Sequence, residues 1–245
     1  MSEVTLDTFY SGRVSVYQPA KGFRAGTDSV LLAAALDQTA KGTALEIGCG
    51  AGGALLPAMS RLPNMHFTGL ERDRVMADLA RRGLTENGFD TRGEIIHADA
   101  GDVPKDWENR FDLVFSNPPF FTEGSIQKPG EGKEGAYLES LSMKDWIGVM
   151  LFSLRPKGTF LMIHRAADLA RILAIIERRT GEISVLPVRS FPGQDAKRVI
   201  IRARKGLRSG PMRLLSGIDL YQDKGGEGSE LLQRVTQDGE GLGWN

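Results

Sequence analysis

The sequence has one cysteine, few histidines and no long apolar run. Its 245 residues include a single cysteine, Cys49, and three histidines. One cysteine excludes an internally disulfide-stapled scaffold, and no histidine is placed to activate it, so we interpret Cys49 as a buried filler. No apolar run is long enough to span a bilayer, and the N-terminal residues lack the pattern of a signal peptide. These absences predict a cytoplasmic protein.

The chain has no net charge at pH 7, yet its charges are unevenly distributed. Between Arg189 and Arg213 it carries eight basic residues and one acidic residue, Asp195. Such a stretch can hold a polyanion such as RNA, and a solvated surface is the simpler alternative.

Short apolar runs rich in β-branched residues alternate with amphipathic stretches. The runs are "TALEIG", "HFTGLE", "EIIHA", "FDLVFS", "GTFLMIH", "EISVLPV" and "KRVIIRA". This alternation predicts βαβ units around a mostly parallel sheet, which is an α/β fold. Amphipathic stretches at 74–87 and 142–155 are predicted helices, and Ser142 with Asp145 forms a capping-box signature.

The chain length predicts one domain in three parts. An N-terminal segment, 1–40, contains the apolar helix "GTDSVLLAAAL", for which Thr27 or Asp28 is the expected N-cap. The core covers 41–206, and a C-terminal extension covers 207–245.

A glycine-rich turn follows the first core strand in "LEIGCGAGG", residues 45–53. Gly48, Gly50 and Gly52 lack Cβ atoms, so the backbone turns sharply and approaches a bound nucleoside closely. Glu71 ends the next strand, where an acid accepts hydrogen bonds from ribose hydroxyls. The spacing also completes G-x-G-x-x-G, so the glycines alone leave a dinucleotide site open.

The stretch "SNPPFF", residues 116–121, ends another strand with two rigid prolines. Its strand end faces the same crevice as the glycine turn. The Asn117 side-chain oxygen and the Pro118 carbonyl can accept hydrogen bonds from a planar nitrogen, which favours its attack on an electrophile. Pro118 and Pro119 hold these acceptors still, and Phe120 can stack on a flat substrate. The glycine-rich residues 122–135 that follow are a predicted mobile loop.

"LEIGCGAG", "GLERD" and "SNPPF", in this order and spacing, resemble the S-adenosylmethionine-dependent methyltransferases that modify exocyclic or amide nitrogens. With "GFRAGTDSVLLAAAL" ahead of them, the likeness is to the bacterial enzymes that methylate N6 of the adenine beside the anticodon of valine tRNA. The resemblance implies a Rossmann-like, seven-stranded class I sheet, mostly parallel with an antiparallel last strand. S-adenosylmethionine is the implied cofactor, and tRNA the implied partner.

The resemblance also implies that the N-terminal segment, 1–40, covers the substrate and the cofactor, and it assigns roles to residues of this chain. Glu46 and the three glycines lie near the methionine end of the cofactor, Glu71 binds the ribose, and Asp99 in "HADA" binds the cofactor adenine. Asn117 borders both ligands, and Asn117, Pro118, Pro119 and Phe120 handle the target base. The mechanism requires no metal.

Other functions remain open at this point. The same acceptors suit a glutamine amide in a protein or guanine N2 in ribosomal RNA, although glutamine enzymes commonly carry tyrosine after the prolines. A non-catalytic module for cofactor or RNA is a third alternative, and DNA is disfavoured because the chain has no room for a recognition domain. The family often has an Ala-Arg-His-Glu run where this chain has "AYLE" at 136–139.

Overall fold

The computed structural model describes residues 3–21, 24–119, 141–208 and 210–244. Within these ranges the chain forms eleven strands. In chain order they are β1 (Val4–Phe9), β2 (Val14–Pro19), β3 (Gly42–Ile47), β4 (Met65–Glu71), β5 (Gly93–His97), β6 (Phe111–Ser116), β7 (Leu154–Arg165), β8 (Thr180–Arg189), β9 (Ala196–Lys205), β10 (Arg213–Leu214) and β11 (Ile218–Asp219).

The same ranges contain six α-helices. They are α1 (Thr27–Ala34), α2 (Leu55–Arg61), α3 (Arg74–Glu86), α4 (Met143–Ser153), α5 (Leu169–Ile176) and α6 (Glu230–Gln233), which continues into a π-helical turn at Arg234–Asp238. None of the helices described has both the length and the apolar character needed to cross a lipid bilayer.

The central sheet has the strand order β8-β9-β7-β6-β3-β4-β5. Its pairs are parallel except those of β9, which lies antiparallel between β7 and β8. The predicted seven core strands, with the last antiparallel, are therefore confirmed. The short strands β10 and β11 add to β8 and bring the sheet to nine strands. Strand order reverses beside β3, between β4 and β6, which is where α/β sheets form ligand crevices.

Alternating side chains of the sheet enter two hydrophobic cores. Ala44 of β3 joins the core formed with α1, α2 and α3, whereas Leu45 and Ile47 join the core formed with α4 and α5. Because side chains alternate along a strand, Glu46 lies on the same face as Ala44. The first core therefore contains a carboxylate at the end of β3 that leads into the glycine turn.

The N-terminal hairpin and the C-terminal segment close the first face of the sheet. Val16 of β2 and Trp244 belong to its core. Arg61, at the end of α2, donates from Nε to the Gly239 carbonyl at 2.9 Å and from Nη1 to the carbonyl of Ala33. The guanidinium thereby joins α1, α2 and the C-terminal segment, and burial lowers its pKa.

Most predicted helix signals are confirmed. The helix predicted at 74–87 is α3, and the Ser142 hydroxyl accepts from the Asp145 N–H at 3.2 Å at the start of α4. The predicted cap of α1 is wrong, because Gly26 is the N-cap and no side chain caps that helix. Asp28 instead forms an ion pair with Arg198, at 2.8 Å, since β9 brings that arginine beside the helix start.

The basic stretch is not one exposed face, because 196–205 forms the interior strand β9. Several of its cations have partners inside the chain. Arg189 pairs with Asp219 at 2.6 Å, Arg198 with Asp28, Arg204 donates to the Lys157 carbonyl, and Lys205 donates to Asn109 and to the Leu154 carbonyl. A single RNA-binding surface over the whole stretch is therefore not supported by this arrangement.

We expect Arg61→Ala to lower the free energy of unfolding by about 2–4 kcal/mol, because the substitution leaves backbone carbonyls in a largely buried position without a donor. Urea denaturation followed by circular dichroism measures the change. Arg178→Ala, which removes an exposed arginine, is the control and should stay within about 0.5 kcal/mol of the parent. Equal stability of the two variants would contradict the joining role of Arg61.

Candidate active site

The glycine turn is held against the end of β4 by backbone and side-chain hydrogen bonds. The N–H groups of Gly48 and Cys49 both donate to the Leu70 carbonyl, at 2.8 and 3.0 Å. The Gly50 N–H donates to Glu71 Oε2 at 2.8 Å, and the Asp73 N–H donates to Glu71 Oε1 at 2.8 Å. Glu71 therefore fixes the turn from the neighbouring strand end.

Gly48 and Gly50 both have a positive φ, which favours glycine. Gly50 has φ +55° and no atom within 4 Å of the place where a Cβ would stand, so its backbone faces open space. A Cβ at Gly48, at φ +72°, would lie 3.0 Å from the Trp146 ring. Backbone of this kind lets a ligand approach closely, as the sequence predicts.

Glu46 is an almost fully buried acid at the end of β3. It is 2% exposed, and one carboxylate oxygen has no hydrogen-bond partner among the described residues. Burial raises its pKa well above the ordinary value, the negative charge of Glu71 raises it further, and the Leu55 N–H bond opposes them. A buried acceptor without a partner is costly, so Glu46 is suited to a donor that enters the crevice.

A narrow crevice of about 30 Å³ brings predicted residues from two motifs together. Glu46, Gly48 and Gly50 line one side, and Asn117 from the double-proline turn lines it with them. The juxtaposition follows from the sheet, because β3 and β6 are parallel neighbours and both turns leave the same edge. Asn117 is half-buried, with a buried Pro118 behind it.

The N-terminal segment contributes two polar residues to this crevice, Gln18 and Ser29, which the sequence interpretation did not identify. Gln18 donates to Asp7 at 2.5 Å and accepts from the Ala25 N–H at 2.5 Å, while Arg24 pairs with Asp7. A sequence signal for Gln18 was present, because Gln18 occupies the next buried position in the alternating pattern of strand β2.

A hydrogen-bonded chain connects α4 to the two turns. Trp146 Nε1–H donates to Ser116 Oγ at 3.1 Å, and the Ser116 hydroxyl donates to the Ile47 carbonyl at 2.7 Å. Ser116 precedes Asn117, and Ile47 precedes Gly48. Trp146 thereby fixes the spacing of the two strand ends.

A buried histidine lies behind the double proline. His164 Nδ1 is 3.1 Å from Asp168 Oδ2, and the backbone of Pro119 lies beside the imidazole. Burial lowers the pKa of His164, although Asp168 opposes the shift. No local sequence pattern singles out His164, because Pro119 is distant along the chain and Asp168 follows it by four residues.

Other predicted site residues lie outside the crevice lining. The Asp99 carboxylate accepts from the Gly101 N–H at 2.8 Å and lies 4.0 Å from Arg72. Gly52, Glu71, Pro118 and Pro119 also do not line it. Phe120, the loop 122–135 and the "AYLE" segment 136–139 fall outside the described residues.

Cys49 is buried at 4% exposure, and burial, with the charges of Glu46 and Glu71, raises the pKa of its thiol well above the ordinary value. A thiol of this kind is a poor nucleophile, which supports its interpretation as a filler. The described residues contain no group of three or more metal-ligating side chains.

The chain's residues fit a methyl donor of the S-adenosylmethionine type. The unpartnered oxygen of Glu46 suits an ammonium group, and the open backbone at Gly50 suits close approach. Glu71 lies at the strand end where ribose is bound in sheets of this kind. The fit to S-adenosylmethionine therefore rests on the geometry of these residues in the fold as well as on the spacing of the sequence motifs.

Residues 21–129 match the model of the family described as "Methyltransferase small domain". A protein of Porphyromonas gingivalis named tRNA1(Val) (adenine(37)-N6)-methyltransferase is 31% identical over 205 residues, which is 79% of this chain and 79% of that protein.

Solved structures of methyltransferases share the fold. A crystal structure of an Agrobacterium tumefaciens protein described as a predicted O-methyltransferase superposes with a TM-score of 0.70 at 25% identity, covering 88% of this chain and 98% of that one. The TYW2 protein of M. jannaschii, solved in complex with AdoMet, superposes with a TM-score of 0.60 at 11% identity, covering 83% and 86%.

The relative, the family match and the fold agree with the motifs identified in the sequence. The chain is an S-adenosylmethionine-dependent N-methyltransferase, and it belongs to the tRNA1(Val) (adenine(37)-N6)-methyltransferase family.

Proposed function

We propose that the chain methylates N6 of adenine 37 in a valine tRNA, as the name of its relative states for that protein. The observation that carries the proposal is the single crevice that joins Glu46 and Gly50 to Asn117. A cofactor on one side and a planar nitrogen on the other then lie within reach of each other. The whole chain acts as one methyltransferase domain, and its one buried cysteine suits the cytoplasm.

The cofactor side of the proposed site uses five residues. Glu46 accepts from the amino group of the methionine moiety, and the backbone at Gly48 and Gly50 supports that end. Glu71 accepts from the ribose hydroxyls, since each of its oxygens keeps a lone pair after one backbone bond. Asp99 serves the adenine. S-adenosylmethionine, when bound, supplies a methyl group on a positively charged sulfur.

The substrate side places acceptors at the hydrogens of the target amine. The Asn117 side-chain oxygen and the Pro118 carbonyl draw the amine out of conjugation, which makes its lone pair available. Asn117 and Pro118 would thereby direct the nitrogen lone pair at the methyl group that S-adenosylmethionine would supply, and the proton that the amine loses would pass to solvent. Both acceptors strengthen their bonds as positive charge develops on nitrogen, which lowers the barrier.

Rigid support makes these acceptors effective, because misplacement by about 1 Å can cost on the order of 10²-fold in rate. Trp146 holds Ser116 through a hydrogen bond, and His164 supports the backbone at Pro119 from behind. Phe120 remains proposed as the platform that stacks on the base.

The substrate is tested with labelled S-adenosylmethionine and in vitro transcripts of valine tRNA. We expect label in the parent transcript and none in a transcript with guanosine at position 37, because only adenine offers an N6 amine there. A transcript with another adenine of the anticodon loop replaced is the control. Label that enters ribosomal RNA or a protein fraction instead would contradict the tRNA assignment.

We expect Asn117→Ala to lower turnover by about 10²–10³-fold while cofactor affinity stays close to the parent value, because the lost acceptor acts mainly in the transition state. Asn117→Asp keeps an acceptor and should retain part of the activity. Asn64→Ala, at an exposed loop position, is the control. Single-turnover kinetics and calorimetry separate the two effects, and parental turnover in Asn117→Ala would rule out the mechanism.

The raised pKa of Glu46 predicts a pH-dependent stability. The folded protein keeps this proton above the ordinary pKa of 4.5, whereas the unfolded chain loses it, so this group makes stability fall as pH rises from that value towards the folded pKa. Glu46→Gln should remove this component from the pH profile of urea unfolding, with Glu177→Gln, at an exposed position, as control.

Glu46→Gln should also weaken S-adenosylmethionine binding and abolish the proton release that accompanies it in the parent. Calorimetry in buffers of different ionisation enthalpy measures that release. Unchanged affinity and proton release would contradict the proposed contact with the amino group.

A further inference from the structure

A second cavity, of about 710 Å³, opens at the amino-terminal edge of the parallel strands. Lys41 precedes β3, Met65 begins β4 and Asp112 lies near the start of β6, and all three line it. The methyl-transfer crevice lies at the opposite, carboxyl edge. Because β3 is six residues long, roughly 20 Å of strand separates the two edges. We call this feature the amino-edge cavity.

The lining of the amino-edge cavity is strongly basic. Seven cationic residues and three acidic residues contribute, which gives an excess of four positive charges. The cationic residues are Lys41, Arg155, Lys157, Arg202, Arg204, Arg208 and Arg213. The acidic residues are Asp37, Asp112 and Glu182. Four of these arginines belong to the second half of the basic stretch of the sequence.

Only some of these cations are engaged by other groups within the chain. Arg155 forms an ion pair with Asp112 at 2.5 Å, and Arg204 Nε donates to the Lys157 carbonyl at 2.7 Å. For the guanidinium groups of Arg202, Arg208 and Arg213, the structure records no hydrogen bond or ion pair with another described residue. These three arginines therefore contribute to the excess positive charge of the cavity and are available to a ligand.

The burial and the neighbouring positive charges of the cavity disfavour the charged form of Arg202. Its guanidinium lies over the Trp244 ring, 4.3 Å from the centroid, and it is half-buried. Burial is the main cause of its lowered pKa, Asp37 opposes the shift, and the like charges of Arg213 and Arg204 add to it. An anion in the cavity would relieve this repulsion, since opposite charges nearby favour the charged form.

We propose that the amino-edge cavity binds a phosphate-bearing ligand through Arg202, Arg208 and Arg213. Guanidinium groups match phosphate oxygens in paired hydrogen bonds, and an excess of four charges suits a group that carries more than one negative charge. The volume lies within the range of about 300–1,000 Å³ typical of small-molecule sites. The phosphates can come from a free nucleotide or from the backbone of RNA.

Calorimetric titration of the full chain with inorganic tripolyphosphate tests the site. We expect saturable binding that weakens as salt is raised, and Arg208→Ala with Arg213→Ala should reduce the affinity by about tenfold or more. Arg178→Ala with Arg179→Ala removes the same charge from an exposed turn outside the cavity and should bind like the parent. S-adenosylmethionine affinity, unchanged in both double variants, verifies their fold.

The source of the phosphates is distinguished by two further measurements. If it is RNA, tripolyphosphate displaces valine tRNA, and the cavity variant binds tRNA more weakly with a smaller salt dependence. If it is a free nucleotide, ATP binds in competition with tripolyphosphate and tRNA affinity is the same in all proteins. Absence of tripolyphosphate binding, or equal affinity in the parent and both variants, overturns the proposal while leaving methyl transfer at adenine 37 untouched.

Discussion

The carboxylate of Glu71 connects two strand ends, and the rest of the site depends on that connection. One oxygen accepts from Gly50 in the turn after β3, and the other accepts from Asp73 at the start of α3. A glycine turn is flexible in isolation, so without these bonds and those to the Leu70 carbonyl its N–H groups would have no fixed direction. The same acid that is proposed to bind ribose therefore also shapes the surface on which the nucleoside lies.

Fixing the turn has an electrostatic consequence for Glu46. Two acids end neighbouring strands, and burial together with the charge of Glu71 raises the pKa of Glu46. In a protein without a ligand such an acid destabilises the fold, yet a cationic ligand would reverse the balance by supplying charge and a hydrogen bond together. A perturbed buried acid in a crevice is typical of functional sites for this reason. Only a cationic ligand that donates a hydrogen bond then removes this electrostatic penalty.

Local sequence patterns predicted the core strands, α3, the cap of α4 and the glycine turn, because each depends on neighbours within a few residues, whereas the antiparallel last strand was implied by the family resemblance. The parts that were missed depend on distant partners. Asp28 has the local signature of a cap, but Arg198, 170 residues later, takes its carboxylate. Gln18 and Ser29 reach the crevice only because the N-terminal segment packs over it. His164 gains its role from Pro119, which lies on the adjacent strand end.

The charges of the basic stretch also depend on distant partners, so their positions in the fold could not be predicted from the sequence. β9 runs antiparallel to its neighbours, so its first residues lie at the carboxyl edge of the sheet and its last at the amino edge. Arg198 accordingly meets Asp28 near the crevice, whereas Arg202 and Arg204 reach the amino-edge cavity. A count of charge along the sequence merges these two environments. Strand direction separates them, which is why one stretch of arginines can serve the fold at one edge and leave unneutralised charge at the other.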